Sequence, residues 1–163
     1  MSLKRRVVRE KVLQALYAFE LSHEPIEMII DTIVGDLKQH PEAFAFAKSL
    51  ILKVIEHSEV LDKMITKRIQ HWEFNRLAII DRIVMRMGIC ELLYYDDIPP
   101  KVSINEAIEI VRAYSTDKSD KFVNGVLDSV LEDLKKDGKL NKTGRGLVNS
   151  SIHSGAPKRR AKE

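Results

Sequence analysis

Lys4, Arg5, Arg6 and Arg9 crowd the head of one amphipathic segment, and Lys121-Phe122 opens another near the end of the chain. Cations at a helix N-terminus oppose the macrodipole, so a cluster of them there is a poor choice for stability and points to a negative partner. In the first turn around Lys121 the free N–H groups favour an anion, and the Phe122 ring has the shape to stack on an unpaired base. The structural alternatives are a soluble charged terminus for the arginines and a core anchor for Phe122. Either way the chemistry is that of binding. No Gly-rich phosphate loop, HExxH or Gly-x-Ser-x-Gly pattern occurs. The five histidines are scattered, and His57 and His71 bracket the fourth segment, at its exposed ends. No catalytic residue, metal or cofactor is therefore expected.

The elements that must carry these residues read as helices throughout. The first segment, about Leu3 to Leu21, turns Val8, Val12, Ala15, Leu16 and Phe19 to one face. Pro25 and Pro41 open the second and third segments, a fourth starts near Ser58, and a fifth spans Arg76 to about Tyr95. The fifth is apolar on nearly all sides and should be the most buried. DDIPP then breaks the chain, and Ser103-Ile-Asn-Glu106 has the capping-box pattern that would start the sixth helix. Ser119 caps the seventh and Gly138 stops it. Within that last helix, Asn124-Gly125 reads locally as a hairpin turn, but Phe122, Val123, Val126, Leu127, Val130, Leu131 and Leu134 keep helical spacing. A glycine inside a helix costs about 1 kcal/mol relative to alanine. Close approach to a neighbouring helix is the expected reason for Gly125, with Asn124 satisfying backbone groups near that contact. The fold class is all-α, with about seven helices and short connections.

Length fits one compact domain, residues 1–137, followed by a basic tail, 138–163. The net charge of +3 is uneven: the tail has seven Lys or Arg and one acidic residue, while the body is mildly acidic. Rich in Gly, Ser and Asn, the tail is expected to be mobile, either simply solvated or weakly attracted to nucleic acid. A single cysteine, Cys90, excludes an internal disulfide framework and sits in an apolar run where it should pack as a small hydrophobe. No apolar stretch approaches the roughly 20 residues needed to span a bilayer, and the cytoplasm fits best.

Three stretches, RRVVREKVLQALYAFE, RLAIIDRIVMRMGICELL and PKVSINEAIEIVRAYSTDKSDKFVNGVLD, together resemble the NusB transcription antitermination family over roughly residues 4 to 134. The last is the most specific, since INEAIE followed at this distance by KFVNGVLD is a long joint pattern. The resemblance implies two small helical bundles packed together and a non-enzymatic role. It implies pairing with ribosomal protein NusE, joint binding of the single-stranded boxA element in ribosomal RNA transcripts, and an indirect link to other Nus factors and RNA polymerase. By position, Arg5, Arg6 and Arg9 would contact RNA phosphates, Lys121 and Phe122 would form the RNA-facing turn, and Tyr17 and Asp81 would lie at or near the NusE surface. Val7 stands where many members have a further arginine, which implies fewer phosphate contacts, and the tail after Lys136 is outside the family's core. Two rivals differ in class. A NusB-like domain also heads some ribosomal RNA cytosine methyltransferases, whose catalytic domain this chain is expected to lack. A helical scaffold forming a homodimer through an apolar face would touch RNA only incidentally.

Overall fold

The computed structural model describes residues 3–70 and 73–147. His71, His153 and residues 148–163 of the basic tail lie outside the described residues. Between Arg5 and Lys136 seven α-helices follow one another among the described residues: α1 (Arg5–Ser22), α2 (Ile26–Val34), α3 (Pro41–Glu56), α4 (Ser58–Thr66), α5 (Ile79–Tyr94), α6 (Pro100–Tyr114) and α7 (Ser119–Lys136). Short 3-10 helices at Gly35–Gln39 and Phe74–Arg76 join α2 to α3 and precede α5. No strand occurs among the described residues. α1, α2 and α3 pack as one bundle and α5, α6 and α7 as another, while α4 lies on α5 and α7. α5 also packs on α1 and α3, so it is shared by both bundles.

That sharing explains why α5 is apolar around its circumference: Ile83, Val84, Met85, Met87, Ile89, Cys90 and Leu92 are all buried. It starts later than its hydrophobic pattern, because Leu77 and Ala78 are extended and hold the 3-10 turn at Phe74–Arg76 apart from the helix. His57 is half-buried and stacks on Tyr94 at 4.2 Å between ring centroids, so it is not at an exposed helix end.

α6 corrects the capping-box expectation. Pro99 is the N-cap and Pro100 the first helical residue, which leaves Ser103 inside the helix and buried. Its hydroxyl donates to a Glu91 carboxylate oxygen at 3.0 Å, and Glu106 faces α1 instead of its own helix start. Proline at the first helical position gives up no hydrogen bond, so the helix begins a turn earlier than the Ser-x-x-Glu pattern indicates.

Gly125 is a second correction. A Cβ added there would meet nothing within 4 Å, so no helix crowds it; Asn124 beside it is also exposed. The close approach occurs at Gly88 on α5, where an added Cβ would stand 3.2 Å from Leu127 Cδ2 on α7. Gly138 does stop α7. It takes φ +65°, Gly138 N–H donates to Lys135 O, and Lys139 N–H donates to Leu134 O at 2.9 Å, a Schellman arrangement.

The expectation of mobility from 138 onward does not fit residues 138–147, which return to the body. Lys142 is buried, and its ammonium donates to the carbonyls of Glu91 at 3.0 Å and Tyr95 at 2.7 Å. Both carbonyls already accept a backbone N–H, Glu91 O from Tyr95 and Tyr95 O from Ile98, so Lys142 adds a charged donor at the C-terminal end of α5, where the helix dipole is negative.

Candidate nucleic-acid interface

At the head of α1 the chain offers Lys4, Arg5 and Arg6 to solvent, with no side-chain cap and no acidic residue in the first turn. Arg6 reaches across to α6 and donates through Nε and Nη2 to Glu106, at 2.8 and 3.0 Å. These hydrogen bonds with Glu106 hold the guanidinium above even its ordinary range, yet about half of its side chain stays exposed. Arg5 lies over the Phe46 ring, 4.1 Å from its centroid, which fixes the stem while leaving the donors without a carboxylate partner among the described residues.

Arg9 belongs elsewhere. It is 3 % exposed and donates through Nε and Nη2 to Glu91 of α5, at 3.0 and 2.6 Å. Ser103 donates to the same carboxylate, so the pair is closed by a third polar partner. The expected phosphate contact at Arg9 is therefore corrected to an internal clamp between α1 and α5. Arg5 and Arg9 share a face of α1, and both lie over the Phe46 ring, but Arg9 sits one turn further in, where α5 covers it, while Arg5 stays at the open end of the helix.

Between α1, the loop before α6, and α6 itself runs an open groove of about 1050 Å³. Lys4, Arg5 and Arg6 at the head of α1 line it together with Pro99 and Val102 at the start of α6 and Arg145 from the returning C-terminal segment.

The second cationic locus is the α6–α7 corner. Lys121 is exposed, while Phe122 is half-buried and packs against the core, so part of its ring is committed to stability. Asp120 accepts from the Lys121 backbone N–H at 2.8 Å and from Arg112 Nε at 3.3 Å, contacts that hold its carboxyl below the usual range. Under the corner sits Asp81, 6 % exposed, accepting from Ser115 at 2.7 Å and Ser119 at 2.8 Å. Its carboxylate is thus a buried anchor of the corner and not a surface contact, a correction to the partner-facing expectation. Tyr17, on α1, is 38 % exposed and open to a partner.

α6 ties the two loci together. Glu106 pairs with Arg6 at its middle, and Tyr114 at its end donates to Glu10 at 3.3 Å. Eight residues at the helical rise separate Glu106 from Tyr114, about 12 Å, so one extended strand can reach both. Tyr114, 38 % exposed at the corner end of α6, offers a second ring for stacking. A tyrosine closing an amphipathic helix carries no spacing signal that would mark it in the sequence.

The NusB family profile matches residues 6–132. The transcription antitermination protein NusB of Chloroherpeton thalassium is 48 % identical over 153 residues, 91 % of this chain and 71 % of that protein. A solved structure of T. maritima NusB, 37 % identical, aligns with a TM-score of 0.75 over 82 % of this chain and 94 % of that one. A chain from a crystal structure of antitermination factors NusB and NusE in complex with dsRNA, 26 % identical, aligns with a TM-score of 0.68 over 79 % and 96 %.

Proposed function

The chain belongs to the NusB family, and from that premise we propose that it is a transcription antitermination factor. It binds single-stranded boxA RNA of ribosomal RNA transcripts together with ribosomal protein NusE, and through that complex joins other Nus factors on RNA polymerase. The observation that supports this most directly is the pair of exposed cationic loci, Lys4-Arg5-Arg6 beside α6 and Lys121 just after it, with the exposed Tyr114 at the end of α6 bonded back to Glu10 of α1. Arg5, Arg6 and Lys121 supply phosphate contacts, which set register and affinity; Tyr114 and the exposed part of Phe122 supply stacking. Tyr17 is the residue offered to NusE. The role is that of a binding factor without catalysis, acting in the cytoplasm where transcripts emerge. No helix among the described residues is long and apolar enough to cross a membrane.

The test is fluorescence anisotropy of labelled boxA-type RNA and a scrambled control, with and without NusE, over a range of salt. NusE should sharpen binding to boxA and leave the control weak. Arg6→Ala should lower the log–log salt slope by about 0.7, the value for one single-strand phosphate. Equal binding of both RNAs, unmoved by NusE, would refute the assignment.

A further inference from the structure

The residues that return to the body after α7 lie outside the family match, which ends at residue 132. Their path is nonetheless specified residue by residue. Lys142 is buried with its ammonium on two carbonyls at the end of α5. Thr143 N–H donates to Asp96 O at 3.0 Å, and Gly144 takes φ +53°, a conformation that favours glycine. Gly146 is buried against the same Asp96 carbonyl, where an added Cβ would stand 2.0 Å from the oxygen, so no other residue fits without moving the backbone. Four successive constraints hold a segment that composition alone reads as solvated tail.

Held between these constraints is Arg145. It is exposed, lines the same groove as Lys4, Arg5 and Arg6, and makes no ion pair among the described residues. The acidic residues of that groove are Glu10, Asp97 and Glu106. Glu106 is engaged by Arg6 and Glu10 accepts from Tyr114, while Asp97 is exposed. Positive charge from both α1 and the C-terminal segment along one open groove suits an extended phosphate backbone.

We infer that residues 139–147 form a strap that carries Arg145 into the α1 groove as an additional phosphate contact, extending the RNA path beyond the family's core. This rests on the RNA-binding reading above. The strap's internal fixings serve to place one cation in the groove that Lys4, Arg5 and Arg6 line.

The test measures the salt dependence of binding to boxA-type RNA by the full chain with NusE. Arg145→Gln should lower the log–log slope by about 0.7, and Arg145→Lys, which keeps the charge, should restore it. Gly146→Ala, which displaces the strap while leaving Arg145 present, should reproduce the Arg145→Gln loss, and the double variant should lose no more than either single one. An unchanged slope for Arg145→Gln, with the wild type binding normally, overturns the strap contact and leaves the family reading standing. A wild-type slope for Gly146→Ala beside a reduced one for Arg145→Gln overturns the strap as the device that places the charge. Absence of any RNA binding by the wild type overturns both readings together. Thermal melts of each variant keep the comparison free of unfolding, since Arg145 is exposed and its substitution should leave the transition in place.

Discussion

Neighbouring residues of one type have opposite roles here. Arg6 and Arg9 lie three positions apart on α1, yet one is half-exposed on Glu106 and the other is buried on Glu91. Arg9→Ala should therefore destabilise the fold by about 3–5 kcal/mol, because it leaves a carboxylate buried without its cation; urea denaturation measures this. Arg6→Ala, at an exposed pair, should cost no more than about 1 kcal/mol. A similar stability loss for both would contradict the burial argument. Glycines divide the same way. Gly125→Ala should raise stability by up to about 1 kcal/mol, since the helix gains propensity and the added methyl meets open space. Gly88→Leu should lower it by about 1–3 kcal/mol through overpacking against Leu127, and paired thermal melts would show the shifts in opposite directions. At this scale the sequence was legible in residue type but not in direction. A run of arginines announces cations, and only the packed helix shows that α5 covers Arg9 while Arg5, on the same face, stays at the open end.

Helices were the most legible level, because their apolar residues recur with one period and prolines mark several starts. Junctions were less so. Ser103-x-x-Glu106 satisfies a capping pattern, yet Pro99-Pro100 starts α6 earlier, and both side chains bond to other helices instead. The α6–α7 corner has a similar logic. Asp81 comes from the first turn of α5, far from the corner in sequence, and nothing in the spacing links it to Ser115 and Ser119. Asp81→Ala should leave those hydroxyls short of their acceptor and destabilise the protein by about 1–3 kcal/mol. It should also loosen the turn that presents Lys121, so RNA affinity should fall although Asp81 itself is buried. Calorimetry alongside the anisotropy titration checks this; unchanged affinity in a destabilised but folded variant would separate the anchor from the interface.

For the whole molecule, the decisive arrangement is that both bundles are built on α5. A helix buried on all sides cannot open locally without exposing two cores, so its amides and side chains should exchange only through global unfolding. Cys90 tests this directly. It is fully buried at the heart of α5, and burial pushes its thiol up to about 12, so at pH 8 it is both shielded and protonated. A thiol reagent added to the native protein should leave Cys90 unmodified over hours, and labelling should accelerate with urea along the slope of the global unfolding transition. The Gly146→Ala variant makes the test sharper. The strap meets the end of α5 at Glu91, next to Cys90, where Lys142 bonds to backbone carbonyls, while its half-buried Leu140 packs against the edge of the core. Releasing it should change RNA binding while leaving the labelling rate close to that of the wild type. Rapid labelling of Gly146→Ala would mean instead that the strap closes the core of α5, and that part of the fold's stability resides in a segment beyond the seven helices.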